Sequence, residues 1–255
     1  MDKQFIEALK IMDDAMLVFE KRVQPPEKVP FLDSFVFRYK QKTIEQALVQ
    51  KLARVVTGLR SAYLLVNHGM LQEQAAIQRM LDEFQQDVTF LSYAIIFDEL
   101  TDLHRRYLDA FYMEEYDNPN DPVDSSQNRP SIPRQKIRAY IAVKESEVNE
   151  PSRGNALTRT LNKAYSGFVH GASPQIMNMY GGRPPRFQVQ GQLNTPHQQP
   201  HKKDLWNYFY RGLISFAEVA CAFRLTELHL KLEDIVKNFA QQAGKNYENN
   251  SEKQT

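Results

Sequence analysis

One short stretch of the sequence carries four polar residue types that could act together in acid–base chemistry. In "TRTLNKAYSGFVHGAS" the residues Arg159, Lys163, Ser166 and His170 follow one another at steps of four, three and four. An α-helix turns by about 100° per residue, so these side chains share one face about 16 Å long. An imidazole can transfer protons, and cationic side chains can stabilise an anion. This face is the first candidate site.

Two other segments supply charges that could complete such a site. The segment "IQRMLDEFQQD" places Arg79 four residues before Glu83, and "NYFYRGLISFAEVA" places Arg211 seven residues before Glu218. Charged groups are seldom buried unpaired, because removing an ion from water is costly. We therefore expect a polar cluster inside the protein that draws on these four residues and His170. The cluster is either a structural ion-pair network or a functional site, and the residues leave both readings open.

The motifs that the chain lacks restrict the chemistry further. The sequence contains no glycine-rich phosphate loop, no dinucleotide fingerprint, no His-Glu-x-x-His and no Gly-x-Ser-x-Gly. No glutamate is followed by a histidine three residues later, which is the pattern of a two-metal helical bundle. We accordingly predict no metal ion and no cofactor.

The composition indicates a globular chain without a strong overall field. The 255 residues are 42% hydrophobic and 25% charged, and the net charge is +1, so nucleic acid binding would need a local basic patch. The single cysteine, Cys221, suits a reducing compartment and is expected to be a small core residue. The amino terminus lacks a signal-peptide pattern, and the apolar window 205–225 is interrupted by charges. We expect a cytoplasmic protein with no membrane span.

The elements before the candidate face are predicted to be helices. Apolar residues from Phe5 to Phe19 recur every three or four positions, and prolines follow. Thr43 and Gln46 form a capping box before a long apolar stripe, and Gly69 is expected to end that helix in the left-handed conformation. Residues 70–116 contain no glycine or proline and predict one long helix. Asp117–Pro133, with four prolines, is predicted to be a loop, and 134–148 a short helix.

The remaining elements would place the candidate face inside a bundle. The face itself is predicted as a helix over residues 156–170. Residues 181–203 suggest an inserted β-hairpin that turns at Gln190–Gly191. Asp204 is expected to cap a last large helix that continues to Leu228. The predicted fold is all-α, an up-and-down helical bundle forming a single domain over 1–245, with a disordered tail at 246–255.

The segments "LLVNHGMLQEQAAIQRMLDEFQQD" and "LNKAYSGFVHGAS" resemble an uncharacterised bacterial helical family that is similar to the HEPN superfamily. The resemblance implies a HEPN-like bundle, a homodimer, and metal-independent RNA cleavage of the kind used in bacterial defence. It implies that His170 is the general acid or base, that Lys163, Arg159 or Arg79 stabilises charge, and that Glu83 orients a partner. The family's arginine is replaced here, since Lys163 is the nearest basic residue before His170.

Three functions from different classes are compatible with these patterns. The first is an RNA-cleaving or nucleotide-binding protein. The second is a non-catalytic interaction or scaffold protein whose buried ion pairs set the helix register. The third is a small-molecule binding bundle with a pocket near Tyr63, Phe84, Tyr165 and Tyr210. For the first function, the residues expected to contact the substrate are Ser166, Arg183, Arg186, Arg211 and Glu218.

Overall fold

The computed structural model describes residues 1–148 and 165–245, and within these ranges the chain is mostly helical. This confirms the all-α class. The helices are α1 (Asp2–Glu20), α2 (Ile44–Asn67), α3 (Leu71–Ile96), α4 (Asp102–Tyr112), α5 (Arg134–Val148), α6 (Ser173–Met177), α7 (Gln198–Ala222) and α8 (Thr226–Gln242), with a further helical stretch at 165–169. Two antiparallel hairpins pair β1 (Glu27–Phe31) with β2 (Ser34–Arg38) and β3 (Tyr180–Gly181) with β4 (Arg186–Phe187).

The long helices pack around one apolar core. The ring of Phe5 near the start of α1 stacks on Phe209 of α7 at 4.4 Å, and Phe19 near the end of α1 contacts Phe223 just beyond α7. Helices α1 and α7 therefore run parallel. Helix α8 runs back along α7, since Trp206 near the start of α7 stacks on Phe239 near the end of α8 at 5.1 Å.

The local signals at both ends of α2 are confirmed. The backbone N–H of Gln46 donates to Thr43 Oγ1 at 3.3 Å, and the Thr43 N–H donates to Gln46 Oε1 at 3.1 Å. This reciprocal pair satisfies two backbone N–H groups that have no hydrogen-bond partner within the helix. At the other end Gly69 has φ +72°, which lets α2 stop and α3 start within a few residues.

The prediction of one long helix over residues 70–116 is wrong. Helix α3 ends at Ile96, and Asp98 adopts φ +50° without a glycine. The backbone N–H of Glu99 donates to the Ala94 carbonyl at 2.9 Å, a hydrogen bond typical of a left-handed helix end. Helix α4 then starts with a second capping box, in which Thr101 and His104 exchange hydrogen bonds. Glutamate or glutamine is the usual partner in this motif, so a histidine at this position is not a familiar helix-start signal.

The expected start and end of the last large helix are also wrong. Helix α7 begins at Gln198, with Pro200 in its first turn, where a missing N–H costs no helical hydrogen bond. Asp204 therefore lies inside the helix. The helix ends at Ala222, because Arg224 takes φ +55° and the Leu225 N–H donates to the Ala220 carbonyl at 2.9 Å.

The hairpins differ from the prediction as well. The inserted hairpin consists of two residue pairs, Tyr180 with Phe187 and Gly181 with Arg186, so its turn covers 182–185 and not Gln190–Gly191. The β1–β2 hairpin is not predicted from the sequence, because the prolines after α1 are interpreted only as a helix end. The loop Asp117–Pro133 is confirmed as lacking helix and strand. Within the described ranges, no helix combines the length and apolar character that a membrane span needs.

Candidate functional site

The described part of the predicted helical face ends at an exposed histidine. Residues 165–169 are helical, the His170 N–H donates to the Ser166 carbonyl at 3.1 Å, and Gly171 ends the turn at φ +62°. The His170 side chain is exposed, whereas Ser166 is partly buried. Arg159 and Lys163 lie outside the described residues.

The predicted internal cluster is divided among separate contacts. Arg79 Nη2 and Glu83 Oε1 lie 2.8 Å apart as an i,i+4 pair on α3. Arg211 of α7 bonds to Asp82 Oδ1 at 2.7 Å, and Glu218 accepts a hydrogen bond from Thr89 Oγ1 at 2.8 Å. Arg211 and Glu218 therefore do not join one common cluster, and each makes a separate contact with α3.

His170 is also separate from these contacts. No hydrogen bond or ion pair joins it to Arg79, Glu83, Arg211 or Glu218 within the part of the chain that the structure describes. Of the other predicted substrate-binding residues, Arg183 and Arg186 lie exposed on the β3–β4 hairpin. The structure thus leaves the His170 imidazole and the guanidinium groups of Arg183 and Arg186 accessible to solvent.

A polar seam between α3 and α7 was missed by the sequence interpretation. Its members on α3 recur at steps of four, four and three, and all are nearly inaccessible to solvent; they are Gln74, Gln78, Asp82 and Gln85. On the α7 side, His201 Nδ1 donates to Gln74 Oε1 at 2.6 Å, and Tyr208 donates to Asp82 at 3.3 Å. The regular spacing of the α3 residues was the available signal, but polar side chains at that spacing more commonly indicate a solvated face.

Burial changes the titration of several groups in this seam. Desolvation lowers the pKa of His201, and the nearby His197 acts in the same direction, so the imidazole is held neutral. Desolvation likewise raises the pKa of Asp204, although a hydrogen bond from Asn207 and the charge of Arg211 oppose the shift. The described helical stretch covers the seam, with Tyr165 against Tyr208.

A cavity of about 410 Å³ lies beside α3, between α7 and α8. Its walls are mainly apolar, and Ile96, Tyr210, Ile214, Ala217, Val236 and Ala240 contribute to them. Glu218 lies in the wall, where desolvation raises the pKa of its carboxyl group to about 7, the Thr89 hydrogen bond opposes the shift and the charge of Glu145 adds to it. The carboxyl group therefore changes charge close to neutral pH.

An imidazole and a thiol, those of His229 and Cys221, also line this cavity. His229 donates from Nδ1 to the Ala217 carbonyl at 3.0 Å, and its Nε2 lies 3.4 Å from Glu233. Burial raises the pKa of Cys221, so its sulfur is held as a thiol and not as the more reactive thiolate. The described residues bring no three His, Cys, Asp or Glu side chains together in a way that could hold a metal ion.

Comparison with models of protein families, with curated proteins and with solved structures finds no match to this chain.

Proposed function

We propose that the chain is a non-catalytic helical binding protein for a small, mainly apolar molecule, which occupies the cavity between α7 and α8. The observation that carries this proposal is the cavity itself, with about 410 Å³ of space and a predominantly apolar wall. Cavities of roughly 300–1,000 Å³ suit small ligands and cofactors.

The chemistry of the wall defines the ligand more closely. Glu218 is the carboxyl group that α7 contributes to the mainly apolar wall, while polar side chains such as His229, Glu233 and Lys237 come from α8. Its carboxyl group already accepts one hydrogen bond from Thr89 and retains capacity for another. The suitable ligand therefore has an apolar body and a hydrogen-bond donor such as an amine.

The fluorescent aromatic amine 1-aminoanthracene tests this proposal, since its emission rises when it leaves water. We expect saturable binding to the full chain. Ile214→Trp, which fills the cavity, should weaken binding at least tenfold. Leu230→Trp is the matched control, because Leu230 is an exposed residue of α8 outside the cavity wall. Equal binding by both variants, or no binding by the original chain, would refute the proposal.

RNA cleavage in a HEPN-like homodimer is the second candidate function. It is supported by the accessible His170 at a helix end and by the exposed Arg183 and Arg186 on the hairpin that follows. An imidazole that reaches solvent can act on a 2′-hydroxyl group, and exposed guanidinium groups can hold the phosphate backbone.

Cleavage of single-stranded RNA in EDTA tests the second candidate. His170→Ala should abolish cleavage, while His68→Ala, a change at an exposed histidine at the end of α2, should leave it unchanged. Cleavage that is equal in both variants, or absent from the original chain, would remove this candidate. Sedimentation would show separately whether the chain dimerises.

A further inference from the structure

A second cavity lies on the opposite side of α3, under the end of the loop that precedes α5. Its volume is about 380 Å³. Helices α2, α3, α4 and α5 contribute to its wall, and the polar residues that matter here are Lys51, Asp87, Tyr107, Arg129 and Arg134. Among the described residues, none lines both this cavity and the cavity of the proposed function.

Two cations in this wall share one carboxylate. Lys51 Nζ lies 2.8 Å from Asp87 Oδ2, and Arg134 Nη1 bonds to the other oxygen, Asp87 Oδ1. The Asp87 side chain is 5% exposed and that of Lys51 is 12% exposed, so water screens the group poorly. Among these three residues, one positive charge is left without a negative partner.

The lysine is held at the cavity by aromatic rings. Its ammonium group lies 4.9 Å from the ring centre of Phe111, 5.0 Å from that of Phe84 and 5.7 Å from that of Tyr107. The faces of aromatic rings attract cations, so these contacts fix the ammonium group without neutralising it. An ammonium group carries three donors, and Asp87 takes one of them.

Two buried donors in the same wall have no hydrogen-bond partner among the described residues. They are the Nε of Arg134 and the hydroxyl of Tyr107, which approaches the Asp87 carboxylate without reaching normal hydrogen-bond geometry. Burial, the charge of Asp87 and this approach to its carboxylate raise the pKa of Tyr107, so its phenol keeps the proton. A buried donor without an acceptor costs free energy, and a bound acceptor would remove that cost.

Neighbouring charges do not cancel the excess. Arg134 also donates from Nη2 to the Glu83 backbone carbonyl at 2.8 Å, while the Glu83 carboxylate is paired with Arg79. Arg129, at the loop edge of the cavity, brings a third cation and is paired with Glu115 at 3.0 Å. The wall therefore presents more cationic donors than anionic acceptors.

We propose that this cavity binds the oxyanion group of a small molecule, a carboxylate or a phosphoryl group, through Lys51, Tyr107 and Arg134. Asp87 holds the two cations in place and is the reason that they lie side by side. The anion accepts hydrogen bonds from the free Nε, the phenol and the ammonium group, and it balances the remaining positive charge.

Calorimetric titration of the full chain with inorganic phosphate, and separately with benzoate, tests this inference at low ionic strength. We expect millimolar or tighter binding of at least one probe. Tyr107→Phe removes only the hydroxyl group and should weaken binding about threefold to tenfold, because one hydrogen bond to an anion is lost. Arg134→Gln should weaken it at least tenfold. Arg105→Gln, a change in an exposed ion pair on α4, is the matched control and should bind like the original chain.

The outcomes separate the two sources of the anion. Binding of phosphate alone indicates a phosphoryl ligand, binding of benzoate alone indicates a carboxylate ligand, and binding of both indicates a general oxyanion site; each supports the inference if Tyr107→Phe weakens it. Thermal unfolding with and without the probe shows which variants are folded. No heat with either probe, or equal affinity in Tyr107→Phe and Arg105→Gln, would overturn the inference without affecting the apolar cavity.

Discussion

Two adjacent carboxylates on α3 differ sharply in their surroundings. The Asp82 side chain is 2% exposed and lies between Arg211 and Tyr208, whereas that of Glu83 is 41% exposed and pairs with Arg79 on its own helix. One residue step rotates a helical side chain by about 100°, so neighbours can face the interior and the solvent. The sequence shows two acids but does not show which one faces α7.

This difference predicts unequal effects of truncation. Asp82→Ala should lower the free energy of unfolding by about 2–3 kcal/mol, because it leaves Arg211 and Tyr208 without their buried acceptor. Glu83→Ala should lower it by less than about 1 kcal/mol, as expected for a surface ion pair. Urea denaturation followed by circular dichroism measures both. Equal losses would contradict the assignment of Asp82 as the interior acid.

Glu218 makes the free energy of unfolding depend on pH. Its carboxyl pKa is about 7 in the folded chain and near 4.5 when unfolded, so the folded state binds more protons between these values. The free energy of unfolding should therefore fall as pH rises from about 4.5 to about 7, and this contribution should level off above that. Of the groups that face Glu218, the charge of Glu145 opposes its ionisation, while Tyr93 and Cys221 have their own pKa values raised by Glu218.

Replacing the carboxyl group tests this dependence. Between about pH 5 and about pH 8, the free energy of unfolding of the original chain should fall by about 2–3 kcal/mol because of this group. Glu218→Gln should not show this fall. The amide oxygen of the variant can still accept the hydrogen bond from Thr89. Glu233→Gln is the control, since that carboxylate is exposed, and it should follow the original profile. A Glu218→Gln profile parallel to the original would show that the group titrates normally.

At the scale of the elements, the sequence predicted helices well where the signal was local. The capping box at Thr43 and the left-handed Gly69 depend on residues next to each other and were both recognised. The ends of α3 and α7 were missed because Asp98 and Arg224 adopt positive φ without glycine. Those turns are fixed by the packing of the helices on either side, and single-residue preferences do not contain that information.

The turn at Gly69 is a tightly constrained connection. An added Cβ would lie 2.5 Å from the Leu193 N and 2.6 Å from the Gln192 N, both of them backbone atoms. The Gly69 carbonyl also accepts a hydrogen bond from the Gln192 N–H at 2.8 Å, which joins this turn to the segment before α7. The glycine is therefore needed for two reasons, its positive φ and the close approach of a second chain segment.

Alanine at this turn should be strongly destabilising. Gly69→Ala is expected to lower the free energy of unfolding by at least about 3 kcal/mol, since backbone strain and a backbone clash add together. Gly244→Ala provides the control, because that residue has φ +68° but nothing within 4 Å of the added Cβ. It should cost about 1 kcal/mol from strain alone. Similar midpoints of thermal unfolding for the two variants would show that the close approach at Gly69 is absent.

At the scale of the whole molecule, the sequence predicts which successive helices are neighbours, but it does not predict which side of each helix meets its partner. The predicted up-and-down bundle implies that successive helices are neighbours, and α2 and α3 do lie side by side with Gly58 packed on Leu81. The polar seam and the cavity at Asp87 arise where helices distant in sequence meet, as with Asp82 and Arg211. Their partners are set by the rotation of each helix about its axis, which a hydrophobic stripe defines only coarsely. Most of the helices can therefore be predicted from the sequence, whereas the candidate sites are seen only in the structure.

The shared core predicts that α4 unfolds together with α7 and α8. Trp206, the single tryptophan, is buried and stacks on Phe239, so its fluorescence reports on α7 and α8. In the double variant Trp206→Phe/Phe111→Trp, the fluorescence reports instead on α4. Since α3 contacts both α4 and α7, through Phe90 and Asp82, we expect each urea transition followed by fluorescence to coincide with the circular dichroism transition of the same protein. A transition of α4 at lower urea than the loss of helix elsewhere would instead divide 1–245 into two folding units.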